Sequence, residues 1–258
     1  MLPERKASAY AVPRLPREAV IALVVLALLW EALSYFAPHL GIAPIAVPGF
    51  GKIAHSLASV TPVDVGVTLV RVLVSLVISF VCGLVLAIWF YRSESVERYV
   101  SPLVRLLMAV PVISWILFAV LWFKSTEFRI CFVLVVTCGP IFMVDALDAL
   151  RGVSRELRQM VRSFRPTPLQ LFTKLLLPAI TPALLTSWKI NLSLAIRVVT
   201  IAELVGATTG IGHELAIAEE LFSVADVFAW TLILVAALFV LEWVLTRIEA
   251  RALRWRVS

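Results

Sequence analysis

The chain has 258 residues, 61% of them hydrophobic and 16% charged, with 23 lysines and arginines against 17 aspartates and glutamates. A water-soluble domain of this length carries about 45–50% apolar and about 25% charged residues, so the composition excludes an ordinary soluble enzyme and makes lipid the expected solvent. The net charge of +6 could suit a nucleic acid, but the basic residues flank apolar runs, as they do where a membrane protein fixes its orientation, and no nucleic-acid partner is expected.

Six apolar stretches follow one another: Val20 to Phe36, Val65 to Phe90, Val100 to Phe123, Phe128 to Leu147, Ala183 to Gly206, and Val227 to Ile248. Each is long enough to cross a bilayer as a helix, which takes about 17–25 apolar residues, more when tilted. Helices satisfy every backbone polar group within the segment, so the fold class is all-α, a polytopic membrane protein with six transmembrane helices. The first stretch has the basic start of a signal peptide. Its apolar run exceeds the usual core of about 7–15 residues and five more spans follow, so an uncleaved helix is expected. Residues 1–18 form an N-terminal segment, and 19–258 a single membrane domain without tandem repeat or linker.

Basic residues crowd alternate loops. Arg5, Lys6, Arg14 and Arg17 precede the first span, and Arg92, Arg98 and Arg105 surround the second loop region. Arg151, Arg155, Arg158, Arg162, Arg165 and Lys174 fill the fourth, and Arg247, Arg251, Arg254 and Arg256 the C-terminus. The other loops hold only Lys52, Lys124 and Arg129. This asymmetry puts both termini in the cytoplasm, as six crossings require.

Within the spans, Arg71, Lys189, Arg197 and Glu203 stand out, since ionisable groups in lipid face a bundle interior, a water path or one another. Lys189 lies near a span end and can snorkel. Arg71 and Arg197, with Glu203 as counter-charge, suit a pathway that attracts an anion; a buried Arg–Glu pair that fixes packing is the equal alternative. In the third span Pro111 and Ser114 interrupt an apolar helix, either as a kink beside the pathway or for packing. Asp145 and Asp148 are placed to pair with Arg151. Gly206, Gly210 and Gly212 form an outer turn, and His213 to Phe222 is acidic through Glu214, Glu219 and Glu220. That stretch suits an interfacial helix near a receptor-docking face, or a solvated surface helix.

Chemistry is sparse. Cys82, Cys131 and Cys138 sit in apolar stretches without metal spacing, and His39, His55 and His213 are far apart, so no metal site is expected. No phosphate-binding G-x-x-x-x-G-K-[ST] occurs and no nucleophile–base set stands out. No catalytic residue is assigned, and this chain is expected to bind no cofactor.

The fourth loop, Val153 to Leu184, is too long for a connector. Leu157, Met160, Val161 and Phe164 recur at helical spacing from Ser154 to Phe164, with Arg155, Arg158 and Arg162 on the other face. Pro166 ends this helix, because the residue before a proline is pushed from the helical region. Thr167, Pro168 and Gln170 then read as N-cap, first helical residue and capping-box partner. The second helix runs through Phe172 to Leu177, and Pro178 and Pro182 predict a break or bend. Such a basic helix pair can lie on anionic lipid or dock a partner protein.

The loop resembles the E-A-A loop of permease subunits in ATP-binding-cassette importers, a motif that continues with three residues, a glycine and, about ten residues on, Leu-Pro. Anchored on Leu177-Pro178, the triplet falls on Gln159, Met160 and Val161 and the glycine on Arg165. Val161-Arg162-Ser163-Phe164-Arg165-Pro166-Thr167 is similar to the nitrate, sulfonate, taurine and bicarbonate branch. So are Leu106 to Trp122 (LLMAVPVISWILFAVLW), Ala202 to Gly212 (AELVGATTGIG) and Glu249 to Arg256 (EARALRWR). The resemblance implies a type I ABC importer permease fold in a bacterial inner membrane, with alternating access for a small, anionic solute. It implies as partners a second permease copy, identical or related, an extracytoplasmic solute-binding protein, and cytoplasmic ATPase subunits that hold ATP and Mg. Gln159, Met160, Val161, Arg162, Phe164, Arg165, Pro166, Thr167, Leu177 and Pro178 would then form the ATPase contact, and Arg71, Pro111, Ser114, Arg197 and Glu203 the pathway. Gln159 replaces an acid and Arg165 a glycine, and Arg165-Pro166 is expected to form an extended corner instead of a left-handed turn. An ATP-independent secondary transporter or channel is the alternative, although the internal symmetry usual in such transporters is not seen; a membrane enzyme or scaffold is a weaker one.

Overall fold

The computed structural model describes residues 17–253 apart from positions 42 and 44. Arg5, Lys6, Arg14, Arg254 and Arg256 lie outside the described residues. The helices in chain order are α1 (Arg17–Phe36), α2 (Phe50–Ala58), α3 (Pro62–Arg92), α4 (Glu94–Ala109), α5 (Val112–Trp122) and α6 (Thr126–Gly152). They continue with α7 (Arg155–Ser163), α8 (Pro168–Leu171), α9 (Leu177–Gly206), α10 (Ile211–Glu220) and α11 (Val224–Ala252). Among the described residues there is no strand. Five helical stretches are long and apolar enough to cross a membrane: Arg17–His39, Pro62–Arg92, Thr126–Gly152, Pro168–Gly206 and Val224–Ala252.

The expected third span is not one helix. It divides into α4 and α5, which meet at 96°; counted as one bent span, the pair brings the apolar crossings to six. The cause is Pro111. Val110 before it is extended (φ −75°, ψ 128°), and Pro111 itself (φ −57°, ψ 138°) caps the new helix. The ring also removes the amide that would have reached the Leu107 carbonyl. Trp115 Nε1 supplies a replacement donor at 3.4 Å. The Ser114 amide reaches the Pro111 carbonyl at 3.0 Å and starts α5.

The core is the layer of α3, α6 and α9. Val72, Leu76, Leu134, Phe142, Leu192 and Val199 fill one half, and Phe90, Met143, Leu150, Leu176, Ile180 and Leu184 the other. Lipid is as apolar as these side chains, so close van der Waals packing across small residues holds such helices together. Gly83 is the point of nearest approach: a Cβ there would lie 2.6 Å from the Gly139 carbonyl oxygen and 2.8 Å from Phe142 Cβ. Because neither neighbour can swing aside, Gly83→Val is expected to destabilise the detergent-solubilised chain by about 1–3 kcal/mol, read from thermal unfolding.

Among the described residues, the hydrogen bonds that tie helix α1 lie near its C-terminal end. Trp30 Nε1 donates to the Pro48 carbonyl (3.1 Å), Ser34 Oγ to that of Val47 (2.9 Å), and Glu31 accepts from the Phe50 amide (3.0 Å). Trp30 also packs on Phe228 with ring centres 5.1 Å apart.

The loop between α6 and α9 folds as its caps dictate. Ser154 Oγ accepts from the Leu157 amide and starts α7. The Thr167–Gln170 capping box is complete, at 2.9 and 3.3 Å. Of the break or bend expected at Pro178 and Pro182, no break occurs: α9 runs through both prolines. A π turn over Phe172–Leu176 joins α8 to α9, and the Leu177 amide reaches the Phe172 carbonyl five residues back. The widened turn makes room for the Pro178 ring, which an α turn would press against the carbonyl four residues earlier.

Candidate functional site

At the α7–α8 end the structure presents an uncovered tip. Arg158 is not part of it. Its Nη2 donates to the carbonyls of Leu150 (2.7 Å) and Val153 (2.9 Å), and its guanidinium lies 5.4 Å from the Tyr91 ring centre. This cation satisfies carbonyls left open where α6 ends and so fixes the root of α7. Beyond the root, no α7 residue is buried. Phe164 is 80% exposed and Leu169 71%, and Met160 is exposed beside them. Gln159, Arg162, Arg165, Thr167, Leu177 and Pro178 are exposed, Val161 and Pro166 half-buried. The expected extended corner at Arg165 is overturned: its φ is +49°, in the left-handed region. The turn is closed by the Phe164 amide on Val161 (3.2 Å) and the Arg165 amide on Arg162 (2.9 Å). The loop keeps the turn that a glycine adopts freely, and the arginine bears the strain.

At the opposite end, Arg71 and Glu203 form one buried network. Arg71 is 6% exposed and Glu203 0%, and Arg71 Nη1 donates to Glu203 Oε1 at 2.8 Å and to the Thr209 carbonyl at 2.7 Å. Arg71 Nη2 reaches Glu127 Oε1 at 2.6 Å. Thr68 Oγ1 donates to Glu203 Oε2 (2.8 Å), as does the Gly212 amide (3.0 Å). The Ile211 amide donates to Thr68 Oγ1 (2.8 Å) and the Gly210 amide to Asp64 (2.9 Å). All three amides opening α10 are thereby satisfied. Gly210 (φ +109°) is required twice over, since a Cβ would lie 2.5 Å from the Glu203 carboxylate. The arrangement fastens α3, α6, α9 and α10 together, with Arg71 held between the carboxylates of Glu203 and Glu127. Sequence reasoning missed Glu127, Thr68, Asp64 and Thr209. Glu127 carried a usable signal, because an arginine within a span calls for an acid and Glu127 stands at the head of the fourth apolar stretch.

Arg197 stands apart. It is exposed on α9, on one face with Ile190, Leu194, Ile201 and Leu204, and has no hydrogen-bond or ion-pair partner among the described residues. Lys189, expected to snorkel, is paired with Glu249. Arg151 pairs with Glu97, not with Asp145 or Asp148. Asp145, six residues earlier on α6, faces another way and accepts from Ser187. Pro111 is exposed and Ser114 half-buried at the α4–α5 break. That break borders a depression of about 210 Å³ lined in part by Val110, Trp115, Thr137 and Leu194, and Leu194 is one turn from Arg197. Sequence reasoning also passed over Glu31 in the first span and Glu242, half-buried on α11 without a partner among the described residues.

Residues 79–254 match the family model described as "Binding-protein-dependent transport system inner membrane component". The chain is 31% identical over 147 residues to the formylaminopyrimidine transport permease protein ThiX of Halalkalibacterium halodurans, covering 57% of this chain and 58% of that one. It is 27% identical to the putative aliphatic sulfonates transport permease protein SsuC of Bacillus subtilis (68% and 64% covered). It is 25% identical to the taurine transport system permease protein TauC of Escherichia coli (73% and 68%). The chain thus spans about three-fifths of the length of the first two. Among solved structures, a chain of the inward-facing MetNI methionine ABC transporter superposes with a TM-score of 0.63 at 22% identity, over 72% of this chain and 92% of that one. The fold is therefore that of type I importer permeases. With two-thirds of its length inside the family model, the chain belongs to the inner membrane components of binding-protein-dependent transport systems.

Proposed function

We propose that this chain is the membrane half of an ATP-driven importer that moves a small anionic solute into the cytoplasm by alternating access. In this reading both termini and the α7–α8 tip are cytoplasmic, and the tip seats on an ATPase subunit that holds ATP and Mg. A second permease copy completes the pathway, and a solute-binding protein delivers cargo at the α10 end, where Glu219 and Glu220 are exposed. The observation that carries the reading is the tip itself. Exposed Met160, Phe164 and Leu169 stand at the end of a helix pair whose second member, α8, runs through the π turn without a break into α9, so a push on the tip is transmitted to the membrane core.

The anion is supported by Arg197. Arg71 and Lys189 have acid partners; Arg197 has none among the described residues and lies one turn from the residue that borders the α4–α5 break. An unpaired guanidinium at membrane depth is costly in hydrocarbon, so its face is expected to meet water or another copy. The sulfonate and taurine permeases among the relatives fit that chemistry. A second reading, an uncharged heterocyclic solute, is favoured by the 31% identity to the formylaminopyrimidine permease.

The test is reconstitution. A tagged chain is expected to bring an ATPase subunit with it, and proteoliposomes holding the pair and the binding protein should accumulate solute only with ATP. Deleting residues 165–170 should release the ATPase. Uptake by the chain alone, without nucleotide, would establish the secondary-transporter alternative.

A further inference from the structure

Arg165 holds a left-handed backbone conformation, φ +49°, that a glycine would occupy without strain. The following proline restricts it further. Nothing local explains the arginine. Its side chain is exposed and makes no hydrogen bond or ion pair among the described residues. The fold would gain by losing it, and a strained residue that serves no internal contact points to an external one.

The surroundings say what kind. Arg162 is exposed in the turn before it, and Arg155 lies on the same flank of α7. On the other flank stand Met160 and Phe164, with Leu169 beyond the turn. Glu156 is the only acid from Ser154 to Leu171, and Arg158 is occupied by carbonyls. The tip is therefore an apolar knob with a cationic edge. An apolar socket bordered by carboxylates is its complement, because guanidinium groups read carboxylates by paired hydrogen bonds that a lysine-lined or neutral rim cannot return.

We infer that Arg165, with Arg162, selects the ATPase partner by docking against an acidic rim on that subunit. This rests on the importer reading above and deepens it: the tip accepts an ATPase with carboxylates at this position and rejects one presenting basic groups there. Arg165 acts in partner specificity and takes no part in solute binding.

The experiment uses the full chain in nanodiscs with the ATPase subunit that co-purifies with it, and compares Arg165→Gly, Arg165→Lys and Arg165→Glu. Arg165→Gly is expected to raise the melting temperature of the chain while weakening ATPase affinity about tenfold and flattening its salt dependence. Arg165→Lys keeps the strain and the charge but loses the paired hydrogen bonds, so its affinity should fall about threefold, between wild type and Arg165→Gly. Arg165→Glu should weaken binding further than Arg165→Gly. Arg165→Gly binding as tightly as wild type overturns the proposal, since a merely structural residue would behave that way. A loss seen only in discs containing anionic lipid, and not in neutral ones, assigns Arg165 to the membrane surface and also overturns it. If the wild-type chain recruits no ATPase, the importer reading fails first and the proposal with it.

Discussion

Arg197→Ala is expected to cut ATP-driven uptake at least about tenfold, because a cation that meets a charged solute through hydrogen bonds contributes about 1.5–3 kcal/mol at that point. The substitution should leave the ATPase attached and the chain at least as stable, since it removes an unpartnered charge from the membrane. Arg197→Lys should restore part of the rate. The measurement is initial uptake of radiolabelled sulfonate or taurine into proteoliposomes, beside the melting temperature of the same preparations. Uptake at the wild-type rate would remove Arg197 from the pathway and favour the uncharged solute. A collapse of stability would instead mean that the guanidinium holds a contact between copies.

Glu203→Ala should do the reverse and damage the fold. The change takes a shared acceptor from Arg71 Nη1, the Thr68 hydroxyl and the Gly212 amide at once in a buried site, and leaves Nη1 the Thr209 carbonyl alone. Removing one member of a buried ion pair costs about 3–5 kcal/mol, because the partner keeps its desolvation penalty without its attraction. Glu203→Gln should fall between, since an amide oxygen can still accept from Thr68 or Gly212 but cannot neutralise Arg71. Glu127, 65% exposed, is expected to tolerate Glu127→Gln with a much smaller change. Replacing Arg71 and Glu203 together by apolar residues should recover part of the loss. Thermal unfolding in detergent reads the series, and a Glu203→Ala chain as stable as wild type would deny the network its structural role.

Much of this was legible in the residues. Apolar run length and the lipid requirement for internal hydrogen bonding identified the spans, and Thr167, Pro168 and Gln170 announced the start of α8 by chemistry that acts within one turn. What escaped depends on neighbours distant in sequence. Pro111 and Pro178 look alike as local signals. One breaks its helix with a 96° turn and the other is absorbed by a π turn. Likewise Arg71 and Arg197 are both lone arginines in apolar runs. Only the fold shows that Glu127, Glu203 and Thr209 all meet the first, while the second remains without a partner among the described residues. At Arg165 the proline rule led to an extended corner. The capped helices on either side dictate a tighter reversal, and they win.

The break between α4 and α5 has a consequence for hydration. In an unbroken helix the carbonyls of Met108 and Ala109 would take the amides of Val112 and Ile113; the 96° turn separates them. Hydrocarbon offers no replacement donors or acceptors, and irregular backbone at membrane depth persists only where protein or water supplies them. Trp115 answers for Leu107 alone. The remaining groups thus mark a strip on this side of the bundle that cannot rest against acyl chains, and a dissolved cargo shedding its own water would find exchangeable partners there.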